Sequence, residues 1–135
     1  MKCAIVTGGS RGIGKAICLK IAEEHDYHLL INYNSNEAAA LETLKEVEAL
    51  GGTGEILKFD VADANQTQQV LTEWSEKKTD AIVEVIVNNA GITKDNLFMW
   101  ISQDDWSNVI NTSLNGFYNV THFFINPLLR NRFGR

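Results

Sequence analysis

Short runs of apolar residues alternate along this chain with longer stretches in which apolar residues recur every three or four positions. Cys3–Val6, Leu29–Tyr33, Glu55–Asp60 and Ile82–Val87 read as strands, mostly apolar and bounded by polar or glycine residues. Between them, Gly12–Glu24 carries apolar residues at Ile13, Ala16, Ile17 and Ile21, a helical spacing. Glu37–Leu50 does the same at Ala40, Leu41, Leu44, Val47 and Leu50, and Gly51-Gly52 closes it. Asn65–Lys78 is a third helix, with Val70, Leu71 and Trp74 inward. Ser102-x-x-Asp105 opens a long helical pattern that runs to about Arg132, with a bend expected at Pro127. The order β-α-β-α-β-α-β-α predicts a parallel sheet covered on both faces, a doubly wound α/β fold that ends after the fourth strand and its helix, with 1–135 forming one domain or part of one.

Ligands of such sheets sit at the carboxyl ends of the strands. The first of these ends is Val6-Thr7-Gly8-Gly9-Ser10-Arg11-Gly12-Ile13-Gly14, a strand passing through a glycine turn into a helix. Unpaired N–H groups and the positive end of the helix dipole favour an anion there, and glycine lets it approach the backbone. The dinucleotide fingerprint G-x-G-x-x-G fails, because Ile17 stands where the third glycine belongs. The P-loop pattern meets Gly9, Gly14 and Lys15 but then Ala16, which has no hydroxyl for Mg²⁺. Thr7-Gly8-x-x-x-Gly12-x-Gly14 fits without exception.

Composition narrows the reading further. Hydrophobic residues make up 44% of the chain and charged residues 21%, as in a globular protein with a core. The net charge of −5 offers no surface for nucleic acid or an anionic membrane. No signal-peptide core or membrane span is legible, so a cytoplasmic chain is expected. Cys3 and Cys18 match no zinc spacing, and His25, His28 and His122 are scattered, so no metal site is expected.

Thr7-Gly8-x-x-x-Gly12-x-Gly14, Asp60-Val61 and Asn88-Asn89-Ala90-Gly91, each just after a strand, together resemble the amino-terminal half of the short-chain dehydrogenase/reductase family. Gly91–Leu97 and Asp105-Trp106 are similar to its 3-oxoacyl-acyl-carrier-protein reductases. The resemblance implies NADP(H)-dependent reduction of a 3-oxoacyl thioester, on acyl carrier protein or CoA, in fatty-acid biosynthesis by the complete protein. Reduction of acetoacetyl-CoA or another ketone, and a non-catalytic nucleotide-binding module, are the alternatives. It also implies that Ser10, Arg11, Gly12 and Ile13 lie along the phosphates and that Asp60 and Val61 meet the adenine. Asn88, Ala90 and Gly91 are expected to line the ribose, and the paired asparagines can equally pin neighbouring strands. Members that use NAD place an acid after the second strand. Here that place reads Asn32-Tyr33-Asn34-Ser35, and Arg11 can pair with a 2′-phosphate or be a solvated surface charge.

The family's catalytic Tyr-x-x-x-Lys does not occur: Tyr27, Tyr33 and Tyr118 are followed four residues on by Ile31, Glu37 and His122. The catalytic serine is expected beyond Arg135, so these residues alone are expected to be inactive. The family's asparagine in the helix after the fourth strand falls on Ser113, which can hold a water or bond back to its own helix. The sheet is expected to end on an open fourth-strand edge. The long last helix is expected to pack on a partner subunit through 103–132, in a tetramer for the complete protein, or to cover only its own sheet.

Overall fold

A computed structural model describes all residues, Met1–Arg135. Four strands, β1 (Lys2–Val6), β2 (His28–Tyr33), β3 (Thr53–Lys58) and β4 (Ile82–Val87), form one parallel sheet in the order β3-β2-β1-β4. The helices are α1 (Gly12–Glu24), α2 (Glu37–Ala49), α3 (Ala64–Lys77), α4 (Gln103–Ile110) and α5 (Gly116–Asn131).

Alternation along β1 builds both faces of the core. Ala4 and Val6 join Cys18, Leu29, Ile31 and Val47 under α1 and α2. Cys3 and Ile5 join Leu30, Phe59, Leu71, Trp74, Val120 and Phe124 under α3 and α5. The chain thus winds outward through β2 and β3, then returns across the other face to β4. That reversal leaves a crevice between the carboxyl ends of β1 and β4. No helix is long and apolar enough to cross a membrane, and no cluster of metal-ligating side chains forms.

Three features differ from the pattern reading. β3 begins at Thr53 and ends at Lys58, so Phe59 and Asp60 already belong to the loop, although Phe59 N–H still donates to Tyr33 O at 3.0 Å. The last helical stretch is not one helix. A π-helical turn, Asn111–Asn115, separates α4 from α5, and α5 passes Pro127 and continues to Asn131. Packing decides this. A Cβ on Gly116 would stand 2.7 Å from Val61 Cγ2, and Asn119 Nδ2 donates to Val61 O at 2.8 Å. These contacts seat α5 against the loop after β3, and the extra residue of the wider turn absorbs the change of register. Finally, the outer edge of β4 is covered at one point. Arg135 N–H donates to Glu84 O and Ile86 N–H donates to Arg135 O, both at 2.9 Å, a parallel bridge opposite Val85.

Candidate cofactor cleft

The other α-helices that start out of a loop, α2, α3 and α4, are each capped by a side chain. Asn36, Asp63 and Ser102 each accept from a backbone N–H at 3.0 Å at the starts of α2, α3 and α4. At α1 the N-cap is Arg11, whose side chain caps nothing. The first-turn N–H groups of α1 therefore face outward unpaired at the mouth of a cleft of about 650 Å³.

The turn that carries them is held from below. Asn32, only 2% exposed at the end of β2, accepts from Gly8 N–H through Oδ1 at 3.1 Å and donates to Phe59 O through Nδ2 at 2.9 Å. Its own carbonyl accepts from Gly9 N–H at 2.9 Å. One side chain thus ties the carboxyl ends of β1, β2 and β3 together. On the other flank, Thr7 Oγ1 accepts from Asn89 N–H at 2.9 Å and Ala90 N–H at 3.0 Å, and its hydroxyl donates to Val87 O at 3.2 Å. Asn89 Nδ2 donates to Thr7 O at 2.9 Å and to Gly8 O at 3.2 Å. A Cβ on Gly14 would collide with Gly8 O and stand 2.5 Å from Asn89 Nδ2, so only glycine lets α1 approach this junction.

Most of the expected residues meet in the cleft. Gly8, Ser10, Arg11, Gly12 and Ile13 form one wall; Asn32, Tyr33, Asn34 and Ser35 the second; Asp60 and Val61 the third; Ala90 and Gly91 the fourth. Three do not line it. Gly14 acts from behind the turn, as described. Asn88 turns away, donating from Nδ2 to Thr121 on α5 at 3.0 Å, and lines a separate groove between β4 and α5. Ser113 is exposed in the π turn, where its Oγ would lie 4.0 Å from a Cβ on Gly91. Thr7 and Asn89, whose side chains build the junction, stand inside the quoted motifs but are absent from the expected site. Asn108, Asn111 and Thr112 also line the cleft, and no sequence signal marks the π turn that brings them there.

Arg11 is the sole cation among the lining residues and Asp60 the sole acid. Asp60 Oδ1 accepts from Ala62 N–H at 2.9 Å, which holds the carboxylate at the loop while its second oxygen stays available. Arg11 makes no ion pair. Lys15 is spent elsewhere: its Nζ pairs with Glu46 at 2.9 Å and Glu42 at 3.5 Å on α2. The hydrogen bond to Glu46 holds its ammonium above the usual lysine range. Lys15 thus points at α2 and not at the glycine turn, against a P-loop arrangement. Tyr33 is 4% exposed, and its burial, with the nearby Glu37 carboxylate, raises its phenol pKa.

The lining suits a dinucleotide in charge, with one cation, one acid and the uncapped start of α1. Where a Cβ on Gly12 would project there is open space, at φ +56°, so an anion can come against the backbone. The chain's tyrosines supply no proton-donating pair here. Tyr27 donates its hydroxyl to Glu84 at 3.1 Å, and Tyr118 stacks on His122 along α5.

Known proteins bear out the resemblance. The model of the short chain dehydrogenase family matches residues 2–135. The 3-oxoacyl-[acyl-carrier-protein] reductase FabG of Staphylococcus aureus is 38% identical over 98% of this chain and 53% of its own length. That of Chlamydia trachomatis is 41% identical over 98% of this chain and 52% of its own. A solved Agrobacterium tumefaciens chain, described as a "putative gluconate dehydrogenase", superposes with a TM-score of 0.90 at 26% identity. It covers 99% of this chain and 51% of its own. The chain therefore spans about half the length of the relatives it matches. It belongs to the short-chain dehydrogenase family, as the amino-terminal, doubly wound α/β part of that fold.

Proposed function

We propose that this chain is the NADP(H)-binding part of a reductase that converts a 3-oxoacyl thioester, carried on acyl carrier protein or CoA, to its 3-hydroxyacyl form. The observation that carries the cofactor choice is the charge of the cleft. Its β2 end, Asn32–Ser35, is uncharged, and its only cation is Arg11 at the start of α1. An acid after β2 suits a ribose 2′-hydroxyl, whereas a guanidinium suits a 2′-phosphate. Ser10, Gly12 and Ile13 would hold the diphosphate, Asp60 and Val61 the adenine, and Ala90 and Gly91 the ribose near the nicotinamide. The bound nicotinamide would supply hydride. The substrate class rests on the FabG relatives, and it brings with it fatty-acid biosynthesis and a cytoplasmic location. The buried free thiols Cys3 and Cys18 suit a reducing compartment.

Residues 1–135 hold no Tyr-x-x-x-Lys, so this chain binds the cofactor without turning substrate over. Ser113, exposed near Gly91 and outside the cleft lining, would hold a water near the reacting end, and it is the one residue of this chain proposed for proton transfer. In nucleotide titrations the chain binds NADPH more tightly than NADH. Arg11→Ala weakens NADPH by about 10- to 100-fold, as loss of a charge-assisted contact does, and NADH by less than about threefold. Equal losses would discard the NADP(H) preference. With NADPH and acetoacetyl-CoA, turnover by this chain alone would contradict its assignment as a cofactor-binding part.

A further inference from the structure

Between the two anchors of the glycine turn lies one peptide that neither holds. Asn32 fixes Gly8 and Gly9, and Arg11 O accepts from Lys15 N–H at 3.2 Å as α1 begins. The carbonyl of Ser10 receives no backbone N–H. It receives instead a side chain from a different element: Thr43 Oγ1, on α2, lies 3.0 Å from Ser10 O. Thr43 is 0% exposed, and its hydroxyl also lies 3.1 Å from Ala39 O, the ordinary back-bond of a helical threonine.

A planar peptide makes this contact more than a brace. Ser10 C=O and Arg11 N–H belong to the same rigid, trans unit, so holding the oxygen against α2 aims the Arg11 N–H the opposite way. It also sets the plane from which the Arg11 side chain departs. On the far side of Arg11 stands Gly12, at φ +56°, with no side chain of its own to pack and open space where a Cβ would project. We infer that Thr43 is a positioning residue for cofactor selectivity. Through the Ser10–Arg11 peptide it holds the Arg11 guanidinium and N–H where they meet the phosphate that distinguishes NADPH from NADH. The inference rests on the NADP(H) reading above.

Valine keeps the shape of Thr43 and removes its proton; serine keeps the proton and removes the methyl. Kd values for NADPH and NADH, measured on the 135-residue chain and its variants, separate the roles. Thr43→Val lowers the preference for NADPH about fivefold, the scale of one lost hydrogen bond, and Thr43→Ser stays within about twofold of the unaltered chain. Thr43→Ala, lacking both groups, behaves like valine and serves if the valine variant does not fold. A packing role reverses the order, with serine worse than valine, and overturns the inference; so does an equal loss for both nucleotides. Arg11→Ala in the same titration keeps the two readings apart. If it abolishes the preference while Thr43→Val does not change it, the cofactor reading stands and the Thr43 assignment falls. If Arg11→Ala leaves the preference intact, or the unaltered chain binds no NADPH, both fall.

Discussion

Asn32 shows how much one side chain can decide. It stands where NAD-dependent relatives are expected to carry an acid, and it lies in the cleft wall. Yet its amide is committed to Gly8 N–H and to Phe59 O. Replacing it by leucine keeps the volume and leaves the half-buried Gly8 N–H and the buried Phe59 carbonyl without their partner. The expected cost is about 3 kcal/mol, from about 1–3 kcal/mol for each unsatisfied group. Urea denaturation checks this, and a loss below about 1 kcal/mol would show that the strand ends do not depend on the amide. Residues such as Gly12 and Asp60 were legible because their neighbours in sequence are their neighbours in the motif. Thr43 was not: it meets Ser10 only because α2 packs across α1, a contact between residues 33 positions apart.

Among the elements, α1 bears on both the core and the cleft. Its underside is Cys18, 0% exposed, with Sγ directed at Gly9 O 4.0 Å away. Burial pushes this thiol from 9.0 up to about 12. The sign follows from proton linkage: the folded chain holds the proton more tightly than the unfolded one. The stabilisation is therefore complete below about pH 9 and is lost as pH rises toward about 12. Stability measured by urea from pH 8 to 10.5 falls in the unaltered chain and falls less steeply in Cys18→Ala. Parallel curves would contradict the burial of an ionisable thiol there. The strands and α1 to α3 were readable within a residue or two, because their apolar spacing matches the faces they bury. The π turn was not, since residues 111–115 keep a helical composition and only the seat of Gly116 on Val61 reveals the extra residue. α5 runs through Pro127 to Asn131, close to the end at about Arg132 that the apolar spacing predicts.

At the level of the whole molecule, the α4–α5 surface stays unusually apolar. Trp106, Leu114, Phe117, Tyr118 and Leu129 are each more than half exposed, although α5 has already buried Val120 and Phe124 in the core. One sheet face cannot use both sides of a helix, so the expected contact with a partner subunit would use this second side. Sedimentation at micromolar concentration is expected to show at least a dimer, reduced to monomer by Phe117→Glu. A well-folded monomer for the unaltered chain would contradict it. The central claim concerns the other end of the molecule, where four strand ends and the start of α1 converge on one cleft. Amide chemical-shift mapping with NADPH and NADH tests it most directly. The account predicts the largest NADPH shifts at Ser10–Ile13, Asp60–Ala62 and Ala90-Gly91, with the difference between the two nucleotides concentrated at Arg11 and Asn34–Asn36. Shifts gathered instead in the groove between β4 and α5, or a saturating titration that moves none of the glycine-turn amides, would contradict it.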